Sequence, residues 1–274
     1  MMQLLDDYTI AHIVESMIPV AVRDGVYDET ISDVMRDLCK LAMTSKRMYD
    51  VVEPIILKYA SMSLLHKSDL DGIVYMYVDY RGRIHRVDGP AVEINDGTRE
   101  WYQEDKLHRI DGPAVERADG MREWYLVGKL HRIDEPAVEY AGGHHEWYLF
   151  GKFHRVNGPA IECADGSREW YQNGKSHRED GPAVEWADGS REWWLDGKRH
   201  RIDGPAIECA DGMRVWYRDG KLHREDGPAV ESASGTREWW LDGKRHRIDG
   251  PAVENVDGTR EWYRDGVLIR EEHL

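Results

Sequence analysis

The chain has 274 residues, a net charge of −15 and 32% charged side chains. Residues 1–70 hold 7 basic against 11 acidic groups (−4) and the remainder 30 against 41 (−11), so the acidity runs through the whole length. No basic stripe is present to meet a phosphate backbone or an anionic bilayer, and neither nucleic acid nor membrane is expected as a partner.

The N-terminal stretch, M-M-Q-L-L-D-D-Y, has no basic region and places two Asp before any apolar run. Neither a signal peptide nor a membrane span is expected. Three cysteines, Cys39, Cys163 and Cys209, lack framework spacing and point to a reducing, cytoplasmic or nuclear compartment.

Up to residue 60 the apolar period is helical. Ile10, Ile13, Val14, Met17, Ile18 and Ala21 fall on one face, with Asp6 or Asp7 as cap and R-D-G at 23–25 as the break. Ile31, Val34, Met35, Leu38, Leu41 and Ala42 give a second face, capped by Thr30. Ser45 opens a third, Met48, Val51, Val52, Ile55, Ile56 and Tyr59, in which Pro54 predicts a kink. The segments L-L-D-D-Y-T-I-A-H-I-V-E-S-M-I-P and D-L-C-K-L-A-M-T-S-K-R-M-Y-D-V-V-E-P resemble the F-box over residues 4–60. Leu5-Asp6 stands where that family has Leu-Pro, the stretch Arg23–Thr30 is longer than the family's, and Ser45–Tyr49 matches its second signature. The resemblance implies docking onto the small adaptor subunit of a cullin-type ubiquitin ligase, through Ile10, Ile13, Val14, Met17, Leu38, Leu41 and Met48. The spacing alone shows only that this face is apolar. A plain helical cap is the simpler reading of the same residues.

Residues 61–72 read as a linker. From residue 73 to 274 a unit P-A-V-E-x-A-D-G-x-R-E-W-Y-x-x-G-K-x-H-R-x-D-G recurs every 23 residues, in eight full copies with degenerate ends. Its phrase H-R-I-D-G-P looks like the opening of a kinase catalytic loop. A catalytic residue is needed once, whereas the phrase repeats from His85 to His246, so it is architectural. The Gly-rich loop, strand lysine and metal-binding Asp motif of a kinase are missing, and no enzyme is expected.

Two extended runs, A-V-E-x-A and x-R-E-W-Y, are joined by Asp-Gly, which predicts a type I′ hairpin turn. A second Gly (Gly128, Gly151 and their equivalents) turns the chain again, and Asp-Gly-Pro makes a third turn whose Pro opens a strand or sits at a bulge. Val78 in the Trp phase and Ile269 in the His phase mark decayed ends. A β-solenoid and a row of hairpins, one per repeat, both fit the period. Solenoid coils stack equivalents about 4.8 Å apart and would align Glu93, Glu116 and Glu139 in a like-charge column. A hairpin row sets equivalents about 10 Å apart and lets Arg and Glu alternate. The expected fold class is therefore α+β: a small N-terminal helical (F-box-like) domain followed by an elongated all-β array of antiparallel hairpin repeats. Period and wording resemble MORN repeats, without their Tyr-x-Gly pattern. An F-box-like head before such repeats resembles a protein class of large DNA viruses, which implies the host cytoplasm or nucleus.

No cofactor and no metal is expected. Histidines about 10 Å apart cannot share an ion, and His144 and His145, adjacent on a strand, point to opposite faces. Cys163 and Cys209 lie two repeats apart, beyond disulfide reach. Arg99 and Trp101 share a face, which predicts an Arg–indole brace in each repeat. The sequence leaves open which face points inward. The phases of residues 94 and 107 vary from repeat to repeat and offer Arg117, Tyr140, Trp186, Arg199 and Arg245 as candidates for holding a target protein, with neutral variation as the plain alternative. The expected function is a non-enzymatic adaptor, the helical head docking a ligase and the array holding a target of unknown identity. The alternatives are a scaffolding repeat protein and a carbohydrate-binding module using the Trp/Tyr ladder.

Overall fold

The computed structural model describes residues 63–64, 67–69, 72–79 and 83–273. The helical head over 1–60, with Ile10, Ile13, Val14, Met17, Leu38, Leu41 and Met48, lies outside the described residues, as does Cys39. The regular structure described is all β, in two compact units that meet in sequence at His131 and Arg132. The same 23-residue plan builds each unit.

In the second unit Val138–Glu139 pairs antiparallel with His145–Glu146, which pairs with Ile161–Glu162, and so on to Val253–Glu254 and Arg260–Arg264. In the first unit Gly72–Val78, Val92–Ile94, Arg99–Glu100, Val115–Glu116 and Arg122–Glu123 follow the same meander. The repeats are thus a tandem array of antiparallel hairpins. Ser63–Leu64 and Lys67–Asp69 also pair with Gly72–Val78. The sheet therefore reaches into the stretch read as a linker: the β-prone run from Ile73 to Val78 takes up strand partners there.

Each repeat carries two hairpins, not the one expected. After Trp147, Tyr148–Leu149 turns back on Lys152–Phe153 as a separate two-stranded ladder, and every internal repeat has its counterpart. The turn chemistry is also exchanged between the two. The expected type I′ turn at the first Asp-Gly is a three-residue loop. Gly97 N–H donates to Ile94 O at 2.9 Å, Ile94 N–H donates to Thr98 O at 2.9 Å, and Gly97 alone has positive φ (98°). Asp96 keeps ordinary φ and its Oδ1 accepts Thr98 N–H at 2.7 Å. Type I′ geometry sits at the second turn, where both loop residues are left-handed: Asp196 (49°) with Gly197 (78°), and even Phe150 (49°) with Gly151 (80°).

Register answers the inward-face question. Val184 opposes Glu192 while Glu185 opposes Arg191, and Arg191 in turn opposes Glu208. One face of the second unit's sheet therefore runs Glu, Arg, Glu, Arg, with His145 in one Arg place. Alternation of this kind avoids the like-charge column of a solenoid. The opposite face buries Val138, Ile161, Val184, Ile207 and Val253, and the alanine before each of them is 0% exposed. Ala160 lies at the crossing point of the chain: its N–H donates to Glu169 O and its O accepts Trp147 N–H. The core is thin, with Val115 the largest fully buried side chain. Polar aromatics and arginines supply the remaining cohesion.

Candidate functional site

The third turn holds the repeated phrase together. Arg201 Cζ lies 3.9 Å from the Trp193 ring centre. Its Nη1 donates to Pro205 O at 3.1 Å and to Glu208 Oε1 at 2.9 Å, and its Nε donates to Asp203 Oδ1 at 3.1 Å. A Cβ on Gly204 would stand 2.9 Å from Arg201 Cζ, so a larger residue there would have to displace the guanidinium. Arg109, Arg155, Arg178, Arg224 and Arg247 lie over Trp101, Trp147, Trp170, Trp216 and Trp239 at 3.8–4.0 Å. The expected brace exists, but its arginine is that of His-Arg. Arg99, the expected partner of Trp101, stays exposed and opposes Glu93 and Glu116. At the start of the array Arg86 rests on Tyr77 at 4.0 Å, one residue before the Trp phase. At Glu135, which takes the Gly place, Asp134 turns to φ 66° and Glu135 pairs with Arg132.

The histidine of the phrase links consecutive repeats at His85, His108 and His154 and at the four phrase histidines that follow. His200 Nδ1 faces the Asp219 amide at 3.2 Å and Asp219 Oδ1 at 3.0 Å, and His177, His223 and His246 do the same one repeat away. A backbone link runs alongside: Ala187 N–H donates to Ser167 Oγ and Ala210 N–H to Ser190 Oγ, both at 3.0 Å. The inward Glu accepts an aromatic donor in five of the Arg-Glu strands, as in Tyr102 Oη to Glu100 at 3.0 Å and Trp194 Nε1 to Glu192 at 2.9 Å. Burial, then the Glu100 charge and hydrogen bond, push the Tyr102 hydroxyl up to about 12. Cys163 and Cys209 are free and half-buried, and burial raises both thiols. Among the described residues no group of three or more His, Cys, Asp or Glu side chains is placed to hold a metal, and no helix is long and apolar enough to cross a membrane.

The five target-binding candidates fall into two places. Arg117, Tyr140 and Trp186 stand at the same position beside the first-hairpin loop and are exposed. Arg117 is tied to Glu123 by two hydrogen bonds of 3.1 and 3.2 Å, and that pairing raises its pKa. The Tyr140 ring meets His144 edge-on at 4.8 Å. Arg199 and Arg245 lie in the second ladder, half-buried. Arg199 stacks between Trp194 (4.9 Å) and Tyr217 (5.6 Å) and donates to Glu192 at 3.2 Å. Arg245 has the same setting between Trp240 and Tyr263, with Glu238 as acceptor. These two are committed to the array's own packing.

Sequence reasoning passed over the residue between His-Arg and the Asp (Asn157 in one repeat) of the third turn. It is Val or Ile at Val87, Ile110, Ile133, Val156, Ile202 and Ile248, all prominently exposed. The signal was present as an aliphatic side chain in six of eight turns otherwise built from polar and small residues. Between consecutive third turns run open grooves. One of about 620 Å³ is lined by Pro182, Trp193, Leu195, His200 and Ile202, and its counterpart one repeat on, of about 670 Å³, by Pro205, Trp216, His223 and Arg218.

No family model matches this chain, and no curated protein matches it in sequence. Neither the F-box resemblance of residues 4–60 nor the viral setting gains support from these comparisons.

Proposed function

We propose that the protein is a non-enzymatic, protein-binding adaptor. The F-box-like head, residues 1–60, docks the small adaptor subunit of a cullin-type ubiquitin ligase, and the array holds a target protein. One observation carries the array's part. Its fixed His, Arg, Glu and Tyr groups are engaged with one another in repeat after repeat, while the varied positions Tyr140 and Trp186 stand exposed. Such a division suits a scaffold that presents changeable side chains. The carbohydrate reading is weakened, because an arginine lies on the indoles of Trp101, Trp147, Trp170, Trp193, Trp216 and Trp239, which would have to stack against a sugar. The head's part rests on the Ser45–Tyr49 signature and the apolar helical faces.

Capture on immobilised ligase adaptor subunit tests it. The full chain is expected to bind, and Ile13→Asp with Met17→Asp to abolish binding while the array's circular dichroism is unchanged. Wild-type chain that fails to bind would leave the head as a helical cap and the protein as a scaffold.

A further inference from the structure

We infer that the third turns of the second unit form a docking ridge for a basic amphipathic helix of a partner protein, which lays its aliphatic side chains against the exposed Ile/Val residues and pairs its lysines or arginines with Glu179, Glu225 and the adjacent Asp row. The inference rests on the adaptor reading of the array but places the target on a different surface from the varied positions.

Three observations carry it. First, Ile133, Val156, Ile202 and Ile248 are 69–84% exposed and occupy one phase of the repeat. Single exposed aliphatics need no explanation, whereas Ile133 and Val156 stand in consecutive turns and Ile202 and Ile248 continue the same phase on either side of the Glu225 turn. Second, each of Asp180, Asp203, Asp226 and Asp249 follows this phase with its side chain 83–85% exposed. Glu179 and Glu225 occupy the phase itself in the two turns that lack an aliphatic. The guanidiniums of Arg178 and Arg224 hold Asp180 and Asp226 ionised by lowering their pKa. Third, the grooves beside the row stand open, lined by Pro, Trp and His together with the arginines and acidic groups of the adjoining turns. In these turns the Asp side chains are far more exposed, at 83–85%, than those of Arg178, Arg201, Arg224 and Arg247, at 22–24%.

Charge selects the occupant. An acidic ridge on a chain of net charge −15 repels a second copy, a nucleic-acid backbone and an anionic bilayer alike. It attracts a basic polypeptide whose side chains combine aliphatic stems with cationic ends. Spacing selects its form. Equivalent turns are two strand spacings apart, about 10 Å, and seven residues of α-helix rise about 10.5 Å. A β-strand returns to one face about every 6.8 Å and falls out of register. A polyproline helix returns about every 9.3 Å but docks in aromatic slots, and the indoles here already carry an arginine. Sheet twist limits a straight helix to a few consecutive turns.

The probe is a synthetic four-heptad helical peptide with one leucine per heptad flanked by lysines. Binding to the full chain is read by titration calorimetry. The expected result is salt-sensitive binding, weakened about tenfold or more in a variant carrying Ile133→Gln, Val156→Gln, Ile202→Gln and Ile248→Gln, which removes the aliphatic contacts without adding charge. Glu179 and Glu225 already place a polar side chain of the same size at this phase, so the variant keeps the fold, which circular dichroism checks. A peptide of the same composition with scattered leucines is expected to bind as weakly as that variant does. Equal binding by wild type and variant, or no binding by wild type, overturns the ridge. A second variant, Tyr140→Ala with Trp186→Ala, separates the two readings. If it alone loses the peptide, the array still binds protein but by the varied positions.

Discussion

Two stretches of the second unit share most of their wording and fold differently. Residues 237–254 read R-E-W-W-L-D-G-K-R-H-R-I-D-G-P-A-V-E, and residues 260–272 read R-E-W-Y-R-D-G-V-L-I-R-E-E. Both turn at an Asp-Gly with left-handed φ at both residues. In the first, Trp240–Leu241 pairs with Lys244–Arg245 and the chain then departs, so that Arg237–Glu238 takes Val253–Glu254 as its partner. In the second, Val267–Glu272 stays on Arg260–Arg264 to the end, with a bulge between Trp262 and Tyr263. What the second stretch lacks is Asp-Gly-Pro. The difference shows what the repeated phrase does: it ends one hairpin and carries the chain across to found the next. Arg247 fixes the crossing by donating to Pro251 O at 3.0 Å and Glu254 at 2.9 Å while lying on Trp239. Arg270 still lies near Trp262, at 4.7 Å, but pairs with Glu272 of its own strand.

The largest expected effect comes from removing the indole in each setting. Trp170→Ala strips Arg178 of its seat and is expected to cost about 3 kcal/mol, the low end for a buried tryptophan because this one is only half-buried. In an array held by nearest neighbours the loss stays local. Limited proteolysis with mass mapping should cut first near residues 147–193, whereas Trp262→Ala should only fray the C-terminal hairpin. Uniform loss of protection along 73–274 in both variants would mean one cooperative globule.

Next in size is the arginine itself. Arg201→Lys keeps the charge but loses the planar fork that serves Pro205, Glu208 and Asp203 together over Trp193. The expected cost is about 1–2 kcal/mol, read as a lowered urea midpoint. Arg270→Lys, at the exposed end, should cost less than about 0.5 kcal/mol. Equal costs would show that the crossing is held by something other than this side chain.

High pH gives a smaller effect. The Tyr102 hydroxyl, pushed up to about 12 by burial and by Glu100, keeps its proton in the folded chain at pH values where an unfolded tyrosine, near 10, has lost it. Its contribution to stability is complete below about pH 10 and is lost as pH rises from there to about 12. Urea unfolding across that window should show the decline, and Tyr102→Phe should flatten part of it.

The 23-residue period, the hairpins and the Glu/Arg alternation were legible because each follows from spacing and pairing rules that act over a few residues. The brace was legible only in kind. Arg201 meets Trp193 eight residues away across a turn whose geometry no local rule supplies, so the arginine nearer in sequence was expected instead. The exchange of turn types has a similar origin. Asp-Gly favours type I′ when two residues separate the paired strand ends, but pairing of Ile94 with Thr98 leaves three residues to connect. Of the candidate surface, Tyr140 and Trp186 are exposed as expected, Tyr140 with its ring against His144. Arg199 and Arg245 look equally varied in sequence, yet stack between aromatics of consecutive repeats, because variation at one position can be matched by variation in the rings beside it.

The smallest expected effect sharpens this last contrast within single phases. Trp186 is 44% exposed, and serine already stands at the equivalent Ser232, where its Oγ accepts Thr236 N–H at 2.9 Å. Trp186→Ser should therefore cost less than the matched change in the second ladder, under about 1 kcal/mol, since a local hydrogen bond offsets much of the partial burial that the indole gives up. Arg199→Leu is the matched test in the second ladder, where leucine already stands at Leu222. It removes a guanidinium that Glu192 accepts from, and Glu192 keeps only the Trp194 donor. A cost of about 1 kcal/mol is expected there. If Trp186→Ser proves as costly as Arg199→Leu in urea unfolding, the first-hairpin position is part of the packing after all. The target-binding role assigned to it would then lose its physical basis.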